Sequence, residues 1–233
     1  MPQMIGAGCV KRFISTFLSL GIYGLGRCYR RSLEKGIPHK IEVEEYTNLS
    51  LPMMLMTGAM DMPFVPVRDM AGSDLLNVKS FMGDDKYKLI DSPFDGSPTV
   101  VVPALNPDLA IIHVQQADES GNAQMWGIGG DCMYGANAAK KVIVSCERII
   151  DRKIINKDPS RTILPGAKAV AVVEEPYGTH PGYTPGCYSR ANNYLNKDLY
   201  NLYFPHEIFI RFTQTRYRFC RKWRKQDGSC QSV

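Results

Sequence analysis

Polar side chains that could bind a carboxylate group come after two predicted strands of the chain. Asn48 and Ser50 follow an early strand and open a helix, and Gln115, Gln116 and Asp118 end the clearest strand of the sequence. Asn and Ser are favoured helix caps, and the N-terminus of a helix also attracts anions. Because ligands of open α/β sheets bind beyond the carboxyl ends of the strands, these residues predict a ligand site there.

Three further side chains could take part in such a site. Arg68 lies on the proline-rich segment 61–74, and a guanidinium can grip a carboxylate through two hydrogen bonds, although a lone loop arginine usually faces only solvent. His180, with a glutamate nearby, could move protons, and a structured turn with a surface histidine is the simpler interpretation. Glu45 ends the early strand, where a glutamate is usually solvated or paired. His113 lies within an apolar strand and is expected to be a core histidine.

The elements that must position these residues alternate between strands and helices. Apolar, β-branched runs such as 109–115 are typical of strands buried on both faces. The patterns predict strands at 40–46, 88–91, 99–102, 109–115, 141–147 and 167–174, helices at 27–35 and 49–60, the end of a helix at 136–140, and a loop at 61–74. We therefore expect an α/β fold with an open, largely parallel sheet and helices on both faces.

The basic charge of the protein is concentrated at its C-terminal end. The 233 residues include 28 basic and 23 acidic side chains, and segment 208–233 holds seven of the basic and one of the acidic ones, which leaves 21 and 22 for the rest. We expect one domain over 1–207 and an atypical basic tail over 208–233. A nearly neutral body argues against nucleic-acid binding, although a tail that interleaves basic and aromatic residues leaves it as a minor alternative.

Cysteine usage and hydropathy argue for a reducing compartment and against a membrane span. The seven cysteines are an odd number, and no two are spaced as in a CxxC motif, so neither a disulfide framework nor a zinc site is expected. No run of 18 apolar residues occurs, and the first ten residues lack the pattern of a secretory signal. We expect a cytoplasmic protein that binds no metal.

Six sequence segments occur in a characteristic order along the chain. They are EYTN at 45–48, PFVPVR at 63–68, GSDLL at 72–76, HVQQADESGNAQMWG at 113–127, AAKKVIVSCE at 138–147 and EEPYGTHPG at 174–182. Together they resemble the A subunit of family I CoA-transferases, especially the glutaconate CoA-transferase-like branch. The resemblance runs from about Met4 to about Tyr203, and HVQQADESGNAQMWG is its most specific piece.

The resemblance implies a hetero-oligomeric enzyme that moves coenzyme A between carboxylic acids. In this family a glutamate takes the acyl group from acyl-CoA and forms a mixed anhydride and then a glutamyl-CoA thioester, which is covalent catalysis by a carboxylate. In two-subunit members this glutamate lies in the B subunit, within a Ser-Glu-Asn-Gly motif, which the present sequence lacks. The resemblance therefore implies a B-subunit partner, acyl-CoA as substrate, no bound cofactor, and substrate contacts by this chain.

The resemblance, the substrate class that it implies and the strand ends together suggest roles for the candidate residues. Asn48 and Ser50 would contact the acyl group and its developing oxyanion, and Arg68 would hold the far carboxylate of a dicarboxylic substrate such as glutaconate. Gln115, Gln116 and Asp118 would line the crevice. Two alternatives stay open. One is a CoA-thioester hydrolase subunit of the same fold, with Glu45 as a minor candidate for its base. The other is a truncated, inactive remnant, because the sequence lacks the family's N-terminal strand and Gly-Gly-Phe signature and ends in an atypical tail.

Overall fold

The computed structural model describes residues 2–19, 24 and 26–191, so the basic tail predicted over 208–233 lies outside the described residues. The chain divides into two compact units. The larger comprises Ile14–Phe17 and Glu44–Ser189, and the smaller contains the other described residues. Among the described residues, no helix combines the length and the apolar character needed to cross a membrane.

The smaller unit contains two short helices that pack against each other, α1 (Pro2–Gly6) and α2 (Arg27–Lys35). The predicted bounds of α2 are confirmed, and the helix ends where the sequence expects it to end. Gly36 has a φ of 64°, and its N–H bonds to the carbonyl oxygen of Ser32 at 3.2 Å. Glycine adopts this left-handed conformation without steric cost, which makes it a favoured helix terminator.

The predicted open α/β fold is confirmed, and the larger unit is built around a mixed five-stranded sheet. Its strand order is β10-β8-β6-β7-β9, in which β6, β8 and β10 are parallel while β7 and β9 are antiparallel to their neighbours. The strands are β6 (Leu109–Ala117), β7 (Ala123–Gln124), β8 (Lys141–Ile149), β9 (Thr162–Leu164) and β10 (Ala169–Glu174). Helix α4 (Cys132–Ala138) packs against β6 and β9, and α5 (Arg152–Ile155) follows β8.

Apolar side chains at alternate positions of β6 and β8 form the core on one face of this sheet. Val114 and Val144 are fully buried, as is Cys146 on the same face of β8. Side chains of a strand point to opposite faces in turn, so His113, Ser145 and Glu147 lie on the other face. The core valines thus fix which face carries the polar residues.

A three-stranded antiparallel sheet and a helix complete the larger unit. Its order is β3-β5-β4, with β3 (Phe64–Val67), β4 (Lys88–Asp91) and β5 (Pro98–Pro103). Helix α3 (Ser50–Ala59) packs against β3 and α4. The two remaining strands, β1 (Arg12–Ser15) and β2 (Glu42–Glu45), pair with each other.

The loop predicted over 61–74 is wrong in part, because β3 lies within it. Pro66 in the middle of this strand has no N–H group for the ladder, which made a strand look unfavourable. The structure resolves the conflict by placing β3 at the edge of its sheet, where only β5 is a neighbour. Proline is tolerated in an edge strand, since the missing donor then faces away from the partner.

Candidate functional site

The Thr47 hydroxyl accepts backbone hydrogen bonds at the start of helix α3, two residues after the end of β2. Its Oγ1 accepts hydrogen bonds from the backbone N–H groups of Leu49, at 3.3 Å, and Ser50, at 2.9 Å. These are the donors that a helix leaves without internal partners in its first turn. Asn48, one of the two residues expected at this helix start, therefore does not have to cap the helix.

A carboxylate of the chain itself lies at the start of α3. Ser50 is fully buried, and its Oγ lies 3.0 and 3.1 Å from the two carboxylate oxygens of Asp69. The Thr47 hydroxyl also donates to this carboxylate. A negative charge near a helix N-terminus is favourable because it opposes the positive end of the helix dipole. Ser50 is thus held in place by Asp69, and the anion expected at this helix start is supplied within the chain.

Asn48 and Arg68 flank the cluster of Thr47, Ser50 and Asp69. Asn48 follows Thr47 in the chain and Arg68 precedes Asp69, so the hydrogen bond between Thr47 and Asp69 brings the two backbones together. Both Asn48 and Arg68 are exposed. An amide and a guanidinium supply the N–H donors that bind a carboxylate.

Glu45 lies at the exposed end of β2, and its neighbour Glu44 points inward. Glu44 forms an ion pair at 3.0 Å with Lys86, and both side chains are almost completely buried. The other carboxylate oxygen of Glu44 accepts hydrogen bonds from the backbone N–H groups of Ser80 and Met82. This pair ties segment 78–86 to the strand that leads into the α3 cluster.

The predicted polar residues at the end of β6 are buried, and other groups of the chain bind them. Gln115 donates to the carbonyl oxygens of Trp126, at 2.8 Å, and Pro185, at 3.1 Å. Gln116 donates to Gln124 and accepts from Arg148. These bonds hold β6 to the segments that surround it.

Asp118 closes the turn that follows β6. Its carboxylate accepts hydrogen bonds from the backbone N–H of Asn122, at 2.9 Å, and from the side-chain amide of Asn122, at 2.7 Å. The Asn122 side chain in turn accepts from the N–H of Gly166. Asp118 is 2% exposed, so in this conformation its carboxylate stabilises the turn.

A chain of hydrogen bonds crosses from β6 to β8 on the face opposite the valine core. His113 Nδ1 lies 2.9 Å from Ser145 Oγ, and His113 Nε2 lies 2.6 Å from Glu147 Oε1. Burial by itself would raise the pKa of Glu147, but hydrogen bonds from His113, the Tyr177 amide and Tyr188 outweigh it and lower that pKa below its ordinary value. Glu147 is therefore held as a carboxylate, and His113 is paired rather than merely packed.

The segment that carries His180 folds over this chain of hydrogen bonds. The backbone N–H of Tyr177 donates to Glu147 Oε2 at 2.7 Å. Tyr177 has a φ of 65°, a conformation that residues with a side chain rarely adopt. His180 lies two residues beyond Gly178 and is half-buried, and its backbone N–H bonds to the carbonyl oxygen of Tyr177.

Sequence reasoning missed Asp69, Ser145 and Glu147. Asp69 directly follows the predicted Arg68, but nothing in the sequence shows that its carboxylate reaches Ser50, 19 positions earlier. The spacing of Ser145 and Glu147 on β8 places both on one face, which is a usable signal. Their pairing with His113 depends on the register of β6 and β8, in which His113 lies opposite Ser145.

The part of the chain that the structure describes contains no cluster of side chains that could bind a metal ion. No group of three or more His, Cys, Asp or Glu side chains is placed there to hold a metal ion. The described cysteines, Cys9, Cys28, Cys132, Cys146 and Cys187, form no disulfide bond with one another.

Comparison with solved structures shows a strong likeness to glutaconate coenzyme A-transferase from Acidaminococcus fermentans. The match has a TM-score of 0.81 and 35% sequence identity, and it covers 92% of this chain and 70% of the other. The chain also resembles the decarboxylase AibA/AibB, with a TM-score of 0.70 and 24% identity over 91% of this chain and 76% of that one. At that identity the second likeness shows the fold alone.

Sequence relatives point in the same direction. The chain is 37% identical to the A subunit of 3-oxoadipate CoA-transferase from Pseudomonas knackmussii over 82% of this chain, and it spans 65% of that relative's length. It is 34% identical to the A subunit of glutaconate CoA-transferase from Acidaminococcus fermentans over 95% of this chain and 69% of the relative. The family model described as Coenzyme A transferase matches residues 3–175. The chain belongs to the coenzyme A transferase family.

Proposed function

We propose that the chain is the A-type component of an acyl-CoA:carboxylate CoA-transferase and acts with a separate B subunit that supplies the catalytic glutamate. The resemblance to the A subunits of two such enzymes supports this assignment, as does the lack of a Ser-Glu-Asn-Gly motif in the sequence. The hetero-oligomer would work in a reducing compartment such as the cytoplasm, where cysteines without a disulfide bond, like those of the described residues, persist.

The proposed reaction proceeds by four acyl substitutions at the partner's glutamate. The carboxylate attacks the thioester carbonyl of acyl-CoA, CoA thiolate leaves, and a mixed anhydride forms. The thiolate attacks the glutamyl carbonyl, which gives a glutamyl-CoA thioester and releases the first acid. The acceptor carboxylate then displaces CoA thiolate to form a second anhydride, and the thiolate attacks its acyl carbonyl, which regenerates the glutamate and gives the new acyl-CoA. The covalent intermediates thus divide one difficult transfer into several easier steps.

Asn48 and Arg68 are the residues of this chain that we assign to substrate binding. The observation that carries the assignment is the fixed cluster of Thr47, Ser50 and Asp69, which holds these two exposed residues at neighbouring backbone positions. Glutaconate and 3-oxoadipate, named for the two relatives, are both dicarboxylates. A dicarboxylic acyl group keeps one carboxylate after it joins CoA, and a guanidinium suits that group.

Substitution of Arg68 tests this assignment. Arg68→Met should raise the KM for glutaconyl-CoA at least tenfold while leaving the KM for acetyl-CoA within twofold, because only the former has a free carboxylate. Arg152→Met replaces another exposed arginine, on α5, and serves as the matched control. Equal effects of Arg68→Met on both substrates would contradict the proposed role of Arg68.

A second candidate function is hydrolysis of a CoA-linked substrate. It is favoured by 32% identity to a cholesterol ring-cleaving hydrolase IpdA subunit of Rhodococcus jostii, over 60% of this chain and 49% of the relative. Glu45, exposed at the end of β2, is the candidate base for this reaction. Release of free CoA without any acceptor acid, reduced at least tenfold by Glu45→Gln, would favour hydrolysis over transfer.

A further inference from the structure

Glu147 on β8 binds both the neighbouring strand β6 and the segment that follows β10, on one face of the five-stranded sheet. Its Oε1 accepts hydrogen bonds from His113 on β6, at 2.6 Å, and from the Thr184 hydroxyl, at 3.3 Å. Its Oε2 accepts from the backbone N–H of Tyr177 at 2.7 Å. Residues 177–188, here called the clasped loop, are thus bound at two points to a single carboxylate that is about nine-tenths buried.

The clasped loop lies directly against His113. A Cβ atom at Gly178 would lie too close to His113 Cε1 for two unbonded atoms, so only glycine fits at this position. Glu147 also accepts from the N–H of Tyr177, whose left-handed backbone is strained. Strain of this kind persists only where the surroundings enforce it, and it is concentrated at functional sites.

A network of hydroxyl groups closes the loop internally. Thr179 Oγ1 lies 2.6 Å from the Tyr188 hydroxyl and 2.9 Å from Thr184 Oγ1, and the Tyr177 and Tyr188 rings contact each other with centroids 4.8 Å apart. Burial raises the pKa of Tyr188 to about 12, so its hydroxyl keeps its proton at neutral pH. This network joins the two ends of the loop, so loss of either Glu147 contact affects the whole segment.

The three parallel strands end in segments of different character. After β6, Asp118 and Asn122 form a tight turn whose polar groups bind each other. After β8, Asp151 caps α5. The clasped loop follows β10 after two residues, and it is the longest of the three segments. Since ligands of open α/β sheets bind beyond the carboxyl ends of the strands, this loop is the segment best placed to contact a ligand.

We propose that Glu147 is a positioning residue for the proposed transferase site: its carboxylate holds the clasped loop, which carries His180, in the one conformation that binds the acyl-CoA substrate. The inference rests on the proposed function. Glu147 acts through the backbone of Tyr177 and through Thr184, and it takes no part in the covalent steps. Removal of the Glu147 carboxylate leaves the N–H of Tyr177 without its acceptor, so the loop adopts other conformations as well. The conformation that binds substrate is then less populated.

Limited proteolysis of the full chain tests the clasp without any partner. Chymotrypsin cleaves after aromatic residues, and the loop contains Tyr177, Tyr183 and Tyr188. We expect Glu147→Ala to speed cleavage within the loop at least tenfold, and Glu147→Gln, which keeps one acceptor oxygen, to give an intermediate rate. Glu119→Ala, at an exposed glutamate on the turn after β6, is the control. Circular dichroism of each variant separates loop release from global unfolding.

Steady-state kinetics of the complex with a B subunit test the positioning role. Glu147→Ala should raise the KM for acyl-CoA at least tenfold with a smaller change in kcat, and Glu147→Gln should recover part of the loss. Cleavage of Glu147→Ala at the rate of the unsubstituted chain would overturn the clasp. A released loop with unchanged kinetic constants would overturn the positioning role. Lack of transfer by the unsubstituted complex would overturn the proposed function and this role with it, while the proteolysis rates would still decide whether Glu147 holds the loop.

Discussion

His113 Nε2 lies 2.6 Å from Glu147 Oε1 across two neighbouring parallel strands, and the two side chains are only 12% and 10% exposed. The residues are 34 positions apart in the sequence. The glutamate of this pair also accepts hydrogen bonds from Tyr177 and Thr184, and so it holds the segment that follows β10. These hydrogen bonds favour the ionised carboxylate of Glu147, so the stability of the folded chain depends on whether Glu147 is protonated.

The stabilising contribution of Glu147 should depend on pH. Its pKa in the folded chain lies below the ordinary value of 4.5, so the contribution is present above that value and is lost as the pH falls through the folded pKa. We expect Glu147→Gln to lower the free energy of unfolding by about 1.5–3 kcal/mol at neutral pH, the usual range for a hydrogen bond to a charged group. The difference should shrink below pH 4.5. Urea unfolding of both proteins across this range measures it, and a difference that does not vary with pH would contradict the account.

A methyl group at position 178 should displace the clasped loop. Gly178→Ala places a Cβ against the His113 ring, and overpacking of this kind costs about 1–3 kcal/mol. Gly135→Ala on α4 is the matched control, since its nearest neighbour, Leu55 Cδ1, would be at an ordinary 3.9 Å. We expect that variant to be as stable as the unsubstituted chain or up to about 1 kcal/mol more stable. Thermal unfolding compares the two, and equal midpoints would contradict the close packing of Gly178 on His113.

Breaking the buried ion pair between Glu44 and Lys86 should destabilise the larger unit strongly. Lys86→Met leaves the Glu44 carboxylate buried without its cation, which costs about 3–5 kcal/mol. In the double variant Glu44→Gln, Lys86→Met no charge is buried, and one side-chain oxygen can still accept from Ser80 and Met82. We therefore expect it to recover more than half of the loss in urea unfolding. A double variant no more stable than Lys86→Met alone would show that the buried charge is not the cause.

The thiols should react at very different rates. Burial raises the pKa of Cys146 to about 11, which lowers its thiolate fraction about a hundredfold below that of an ordinary cysteine. Cys9 and Cys187 are exposed. Labelling with iodoacetamide at neutral pH, followed by peptide mass mapping, should modify Cys9 and Cys187 in the folded chain and Cys146 only after denaturation. Early labelling of Cys146 in the folded chain would contradict its burial in the core.

Local sequence signals predicted most elements of the fold. The bounds of α2 follow from its composition and from Gly36, and the apolar runs of β6 and β8 identify them as central strands. The strand pair β7 and β9 was missed, because two or three residues are too few to show a periodic pattern. β3 was missed because Pro66 argues against a strand unless the strand lies at an edge, and the edge position is a property of the whole sheet.

The candidate site was predictable where it depends on neighbours in the chain. Asn48 and Ser50 were placed correctly at the start of a helix because a strand and a helix meet there. The carboxylate that binds Ser50 belongs to Asp69, after another strand, and no local pattern identifies it. The same limit hid the pairing of His113 with Glu147, which depends on strand register. Substrate binding by Gln115, Gln116 and Asp118 stays a prediction. All three side chains are buried and form hydrogen bonds within the chain.

The most direct test of the central claim is a transfer assay on the full chain co-expressed with the B subunit of glutaconate CoA-transferase. Acetyl-CoA and glutaconate are supplied together, and glutaconyl-CoA is measured. The account predicts formation of glutaconyl-CoA that requires both chains and is reduced at least tenfold by Asn48→Ala, with Asn156→Ala, at an exposed asparagine after α5, as the control. Failure of the two chains to form a complex, or a complex that makes no glutaconyl-CoA, would contradict the account and favour an inactive remnant.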